Sequence, residues 1–169
     1  PERLKPGRYV LTRTMGNFDA IQKLRNGKQD AVRLTFNNIR LKQDLIQRIG
    51  SKFEFGADSL GTLLNDPQVC EKFGFDTANV VSMFLPNNYE IYWMTKEDKF
   101  LGRMHDEYKK FWTPARIEKA KALGYSKAQV SVMASIVDAE TNRNDEMPRI
   151  AGVYLNRIAQ SMPLQADPT

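Results

Sequence analysis

Cysteine and histidine are nearly absent from this sequence, which holds one of each, Cys70 and His105. A single cysteine cannot form an intrachain disulfide. One cysteine and one histidine also cannot supply the usual ligand set of a zinc site. No nucleophile motif surrounds Cys70, so a Cys–His dyad has no support. The sequence therefore gives no reason to expect a metal or another cofactor.

Long apolar runs are also missing. No stretch approaches the roughly 18–20 apolar residues that a transmembrane helix needs, and no signal peptide opens the sequence. With 41% hydrophobic and 27% charged residues, the composition is that of a globular chain rather than a disordered one. The net charge of +5 favours acidic partners. No basic stripe with interleaved aromatics is present, which argues against nucleic acid.

The first 37 residues predict a small βαβ unit. Residues 7–11 have the aromatic and β-branched content of a strand. Asn17 can cap a helix with apolar residues at helical spacing, which stops at Gly27. Residues 31–36 then alternate apolar and polar, as a half-buried strand does.

From residue 39 onward the pattern becomes mainly helical, so the predicted fold class is α+β. Two strand-like runs, at 80–84 and 89–93, flank a Pro-Asn-Asn turn. Thr113 and Ser126 are the predicted caps of two later helices. The predicted helices cover about 41–50, 59–65, 67–73, 96–111, 114–123, 126–141 and 146–159.

Glu140 has an unusual place on its predicted helix. At about 100° per residue, it falls at the centre of an apolar stripe formed by Val130, Met133, Ile136 and Val137. A carboxyl group there should be partly desolvated, which favours the protonated form that a general acid needs. The alternative is that Glu140 reaches solvent at the helix end or pairs with an arginine such as Arg143 or Arg149.

Asp138 has the opposite placement. It lies about 160° away from Glu140 on the same helical wheel, so it should face the polar side. The two acids of this helix should therefore have different environments.

Four segments together resemble the YceG-like family of endolytic murein transglycosylases. Residues 134–141 read ASIVDAET, 150–157 read IAGVYLNR and 162–169 read MPLQADPT, in the family's order and spacing. Upstream, residues 84–89 (FLPNNY) are similar to the family's F-P-D-T-Y segment. The departures include Asn87 in place of an acid and Met147 in place of an arginine.

The resemblance implies a reaction and a set of residues. It implies non-hydrolytic cleavage of the MurNAc-β-1,4-GlcNAc bond within peptidoglycan strands, giving 1,6-anhydro-MurNAc ends, with Glu140 as the single acid and then base. Limitation of glycan strand length in wall assembly is implied too. The implied substrate-binding residues are Asn88, Tyr89, Asn156, Gln165 and Asp167. Tyr92 and Trp93 are further aromatic candidates, with core packing as the alternative.

The resemblance also implies an organisation and a location. Residues 1–37 would be a LysM-like module and residues 38–169 a catalytic domain that is incomplete at its C-terminal side. We therefore expect the 1–169 fragment to be weakly active or inactive. The whole protein is expected to be anchored in the inner membrane by a preceding segment, with its catalytic domain in the periplasm and the wall-synthesis machinery as partner.

Two other readings stay open at this point. One is a hydrolytic muramidase in which a second carboxylate, such as Asp167, activates water. The other is a non-catalytic protein that binds peptidoglycan or serves as a scaffold.

Overall fold

A computed structural model describes residues 4–35, 39 and 41–165. The chain is α+β and mainly helical, as predicted, and the described residues contain one small sheet. The chain divides into two compact units, Pro1–Lys110 and Phe111–Thr169. The helices are α1 (Asn17–Asn26), α2 (Lys42–Gly50), α3 (Gly56–Leu64), α4 (Pro67–Lys72), α5 (Glu97–Phe111), α6 (Pro114–Ala122), α7 (Lys127–Glu140) and α8 (Met147–Ala159), and the strands are β1 (Val32–Thr35) and β2 (Asn88–Ile91).

The sheet of the first unit joins segments that are distant in sequence. β1 and β2 pair antiparallel, with Val32 opposite Ile91 and Leu34 opposite Tyr89. These four residues are buried, and the residues between them on each strand are exposed. This alternation follows from the two-residue period of a strand, and it confirms the second predicted strand of the N-terminal segment.

The predicted strand at residues 7–11 is wrong. Within the part of the chain that the structure describes, residues 7–11 make a single backbone–backbone bond to another segment, from the Asp30 N–H to the Arg8 carbonyl at 2.9 Å. The Val10 N–H donates to the Asp30 carboxylate instead, at 2.7 Å, and the Arg8 guanidinium donates to the Ala31 carbonyl. Because side chains take most of these bonds, no strand ladder forms. The LysM-like character of residues 1–37 is therefore not confirmed and, like the domain boundary after residue 37, stays a prediction.

Helix α1 begins at its predicted cap residue, Asn17, and so one residue earlier than predicted. Gly16 is the cap residue and Asn17 is already helical, so the capping role of Asn17 is wrong. The end at Gly27 is confirmed, since its φ of +67° is the left-handed conformation that suits glycine. The apolar residues Phe18 and Ile21 are 72% and 62% exposed, so α1 does not bury a complete apolar face.

The predicted strand at residues 80–84 is also wrong, because Val80–Met83 form a 3-10 helix. The Asp76 carboxylate accepts the N–H groups of Ala78 and Asn79, at 2.7 and 2.8 Å. This turn starts the helical course just before Val80, and it overrides the β preference of the two valines.

Aromatic rings fill the core of the first unit around Phe100 on α5, which is fully buried. The rings of Phe53 and Phe55 lie 5.2 and 5.6 Å from it between centroids. Phe84 follows the 3-10 helix and lies 6.4 Å from the same ring. The core thus holds α5 against the segment that leads into β2.

Two contacts set the arrangement of the first unit's short helices. Gly50 at the end of α2 lies directly against the Ala57 backbone near the start of α3. The Lys42 ammonium donates to the Leu64 carbonyl at 2.6 Å and to the Thr77 carbonyl at 2.9 Å. It therefore joins the start of α2 to the end of α3 and to the segment before the 3-10 helix.

The second unit is built from α6, α7 and α8, and both of its predicted caps are confirmed. The Thr113 hydroxyl accepts the Arg116 N–H at the start of α6. Ser126 and Gln129 form a reciprocal capping box at the start of α7. α7 packs against α8, and Val137 and Tyr154 are their buried residues. Over both units, no helix of the described residues is long and apolar enough to span a membrane.

Candidate active site

Glu140 is the last residue of α7, and it is exposed. The desolvation expected from the helical wheel is therefore wrong. The stripe itself is present, because Val137 is buried and Val130, Met133 and Ile136 are half-buried. The stripe ends before Glu140 because the helix ends there, and a side chain on the final turn can reach past the packed face. Asp138 is exposed, as predicted.

Tyr154 on α8 is the residue that meets Glu140. Its hydroxyl donates a 2.7 Å hydrogen bond to Oε1 of the Glu140 carboxylate. The Tyr154 side chain is 6% exposed, so a nearly buried ring carries a hydroxyl to an exposed acid. A buried tyrosine usually finds a partner for its hydroxyl, and here that partner is the candidate catalytic group.

The acids that follow α7 are engaged elsewhere. Arg143 forms ion pairs with Asp145 at 2.9 Å and with Glu146 at 3.2 Å. The Thr141 hydroxyl donates to the second oxygen of Glu146, at 2.9 Å. Among the described residues, no lysine or arginine lies within ion-pair distance of Glu140. The alternative in which Arg143 or Arg149 neutralises Glu140 is therefore not what the structure shows.

Arg157 connects α8 to the loop that follows it. Its guanidinium lies 6.0 Å from the centre of the Tyr154 ring, at the outer limit of a cation–π contact. It also donates to the Leu164 carbonyl. Gln165, the next residue, has a left-handed backbone with φ of +50°. For a residue with a side chain this conformation is unfavourable, by roughly 1–2 kcal/mol.

The C-terminal blocks hold three candidates, and two of them, Asn156 and Gln165, are exposed. Asn156 lies two residues after Tyr154, about 200° around α8, so it does not share the helix face that meets Glu140. Gln165 lies in the loop that Arg157 holds at Leu164. Asp167 lies outside the described residues. Contacts of these three residues with a substrate stay predictions.

Asn88 and Tyr89 belong to the first unit, where they open β2. Asn88 borders a surface depression of about 530 Å³, together with Asn87, Arg33 and Arg103. The Asn88 side-chain oxygen accepts the Thr35 hydroxyl at 2.6 Å across the sheet. The structure thus places an amide pair at a concave surface.

Tyr89 also lines this depression, but it shows little of its surface there. It is 5% exposed, and its hydroxyl donates to the Leu85 carbonyl at 2.8 Å. Burial, with a smaller effect from the nearby Glu107 carboxylate, raises the pKa of Tyr89 to about 12. The phenol therefore stays protonated at physiological pH and closes the turn before β2. Its contact with a substrate stays a prediction.

Cys70 is packed like a structural residue. It is fully buried, and its thiol lies 3.5 Å from the Leu64 carbonyl. Burial raises the pKa of the thiol, which is the opposite of what a cysteine nucleophile needs. No group of three histidine, cysteine or acidic side chains in the described part of the chain is placed to hold a metal ion.

Comparison with known proteins decides the family. The YceG-like family model matches residues 1–169. The chain belongs to the YceG-like family. This family is known as the endolytic murein transglycosylase family, which indicates a cell-envelope enzyme with peptidoglycan as substrate. No curated protein matches the chain.

Sequence reasoning missed Tyr154 as a member of this YceG-like site. The motif that contains Tyr154 gives this residue no role of its own, and in the structure it is the buried residue of α8. The available signal was chemical: a tyrosine on an inward face needs a partner for its hydroxyl, whereas a phenylalanine does not. Nothing in the spacing of the two residues, 14 positions apart, identifies Glu140 as that partner.

Proposed function

We propose that this YceG-like protein cleaves the MurNAc-β-1,4-GlcNAc bond inside peptidoglycan strands without water, with Glu140 as its single acid and base. The observation that carries the proposal is the exposure of the Glu140 carboxyl group together with its hydrogen bond from Tyr154. It is exposed, and Tyr154 holds one of its oxygens at 2.7 Å. A carboxyl group placed in this way can meet a glycan and keeps one oxygen for proton transfer.

The proposed reaction needs one carboxyl group in two roles. The protonated acid of Glu140 donates its proton to the glycosidic oxygen, and the bond between C1 of MurNAc and that oxygen breaks. The 6-hydroxyl oxygen of the same MurNAc attacks C1 and closes the 1,6-anhydro ring. The hydroxyl proton passes to the Glu140 carboxylate, which restores the acid. All atoms of the substrate are retained in the two products.

The surroundings of Glu140 favour a mechanism with one catalytic carboxyl group rather than two. Most glycosidases use a pair of carboxyl groups on opposite sides of the bond. The acids that follow Glu140 in sequence, Asp145 and Glu146, are both paired with Arg143. Asp138 lies on the far side of the α7 wheel. These acids are therefore poorly suited to activate a water molecule beside Glu140.

Replacement of Glu140 in the full-length gene product tests the proposal. Glu140→Gln keeps the shape of the side chain and removes its proton transfer, so the release of anhydromuramyl ends should fall to background. Asp138→Asn is the matched control, an exposed acid of the same helix, and should leave the products unchanged. Mass spectrometry of digested peptidoglycan gives the answer. Unchanged cleavage by Glu140→Gln, or reducing ends in place of anhydro ends, would overturn the proposal.

We further propose that sugar groups of the glycan are bound by Asn88, Tyr89, Asn156, Gln165 and Asp167. Amide side chains suit the hydroxyl and acetamido groups of this substrate. Each alanine variant should raise KM for a defined glycan strand and leave kcat within a factor of about two. An unchanged KM in a variant would show that the replaced residue does not bind the glycan.

Family membership also supports a proposal about location. We propose that the protein acts on the outer side of the inner membrane, held there by an N-terminal segment, and limits strand length beside the wall-synthesis machinery. Fractionation of cells that express the tagged full-length gene product tests the anchor. Recovery in the soluble periplasmic fraction would contradict it.

A further inference from the structure

Tyr154 contributes more to the site than packing. Of its two features, the ring is buried between α7 and α8, and the hydroxyl reaches Oε1 of Glu140 at 2.7 Å. A phenylalanine would fill the same volume. The hydroxyl therefore has an effect that core packing does not explain, and this effect is directed at the candidate catalytic group.

The geometry restricts a side chain that would otherwise be free to rotate. Glu140 ends its helix and is exposed, so its long side chain has several accessible rotamers. A hydrogen bond from a fixed donor selects those rotamers that place Oε1 at the phenol. Oε2 then has a defined direction, and it is the oxygen left to exchange a proton with the substrate.

The donor is itself well fixed. Tyr154 lies in the middle of α8, is enclosed by the α7–α8 packing, and has the Arg157 guanidinium 6.0 Å from its ring centre. At the base of the acid's own helix, the Thr141 hydroxyl bonds to Glu146 at the start of α8. Two side-chain bonds thus join the end of α7 to α8, one at Glu140 itself and one at the next residue, Thr141.

We propose that Tyr154 is the positioning residue of Glu140, holding Oε1 so that Oε2 faces the glycosidic oxygen and then the 6-hydroxyl of MurNAc. The inference rests on the proposed function of Glu140. The phenol keeps its proton throughout. It donates to Oε1 when that oxygen is the carbonyl of the acid and again when it belongs to the carboxylate, so no step requires Tyr154 to exchange a proton.

Kinetics of Tyr154→Phe in the full-length gene product test this proposal. A hydrogen bond to a charged group corresponds to roughly a 10- to 100-fold change in rate, so kcat on a defined glycan strand should fall by that factor. KM should stay within a factor of about two, because Tyr154 touches Glu140 rather than the sugar. Tyr125→Phe is the matched control, since the Tyr125 hydroxyl bonds to none of the described residues, and it should retain full kcat.

A second measurement does not depend on turnover. With 3-fluorotyrosine at position 154, the ¹⁹F resonance should move when Glu140 is replaced by alanine, because the phenol loses its acceptor. The same label at position 125 should not respond. An unchanged signal at position 125 also shows that the Glu140→Ala variant keeps its fold, so that the shift at position 154 reports on the contact.

The outcomes separate the two proposals. Loss of activity in Glu140→Gln together with full kcat in Tyr154→Phe overturns the positioning role and leaves the proposed function intact. Activity in Glu140→Gln overturns the proposed function itself. A raised KM with unchanged kcat in Tyr154→Phe, or a fluorine signal that ignores Glu140, also overturns the positioning role.

Discussion

Gly50 and Ala57 approach so closely that a Cβ atom on Gly50 would lie 2.2 Å from the Ala57 backbone nitrogen. Backbone atoms cannot turn aside as a flexible side chain can, so α2 and α3 would have to move apart. We expect Gly50→Ala to lower the free energy of unfolding by about 1–3 kcal/mol. Urea denaturation followed by circular dichroism measures this change.

Gly61 provides the control for that prediction. It lies in α3, and a Cβ atom there would meet Ile46 at 3.6 Å, an ordinary contact distance. Gly61→Ala should therefore be neutral or should stabilise the helix by up to about 1 kcal/mol. Equal effects of the two substitutions would show that Gly50 is not selected by the close approach.

Ser126 controls the start of the helix that carries Glu140. Its hydroxyl accepts the Gln129 N–H at 3.2 Å, and the Gln129 side chain accepts the Ser126 N–H in return. Ser126→Ala should lower the free energy of unfolding by about 1 kcal/mol. Ser131→Ala is the control, since that hydroxyl only bonds back to Lys127 within the helix, and its effect should stay within about 0.5 kcal/mol. If both variants have the same free energy of unfolding, loss of the cap is not the cause of the Ser126→Ala effect.

The pair of Ser59 and Glu97 predicts a pH-dependent stability. The Ser59 hydroxyl donates to the Glu97 carboxylate at 2.5 Å and, with the Glu97 backbone N–H, holds the pKa of this carboxyl below its ordinary value. The folded chain therefore binds this proton less readily than the unfolded chain. The resulting stabilisation is fully present above the ordinary glutamate pKa of about 4.3, and it is lost as pH falls through the folded value.

Ser59→Ala should therefore be less stable than the wild type at pH 7, and the difference should shrink toward pH 3. Urea titrations at several pH values measure it. Ser51→Ala removes a hydroxyl that donates to the Arg48 carbonyl, not to an acid, so its effect should not vary with pH. A Ser59→Ala effect of the same size at pH 3 and pH 7 would refute the assignment.

Arg157 should affect glycan binding through the loop after α8. Its bond to the Leu164 carbonyl helps to hold Gln165 in an unfavourable left-handed conformation. In a Glu140→Gln background, which should bind without turnover, Arg157→Ala should raise the Kd for a glycan fragment by roughly ten-fold. Calorimetry measures it, and Arg149→Ala, an exposed arginine of the same helix, should leave Kd unchanged. Equal Kd values for the Arg157→Ala and Arg149→Ala variants would show that the loop after α8 does not contribute to glycan binding.

Local signals in the sequence predicted the second unit well. A serine followed by glutamine three residues on, or a threonine before proline, determines a helix start through bonds that span only a few residues. The structure has both caps where they were expected. Gly27 was predicted for the same reason, because a left-handed helix end is a local requirement.

The two wrong strand predictions arose where a side chain outside the segment overrides the β preference of its residues. Residues 7–11 have strand composition, yet the Asp30 carboxylate takes the Val10 N–H. The β-branched Val80 and Val81 follow the turn at Asp76 into a 3-10 helix. For Glu140, the wheel gave the correct face, but it could not show that the side chain projects beyond the packing at the helix end.

The pairing of β1 with β2 has a consequence for how the chain is made. Val32 precedes its partner Ile91 by 59 positions, and Thr35 precedes Asn88 by 53. At roughly 5–20 residues per second, the ribosome needs about 3–12 s to supply the partner strand. Until then the edge of β1 has no partner from β2, and an unpaired edge invites association between nascent chains. A shortened protein that starts at residue 38 would leave the same hazard permanently on β2.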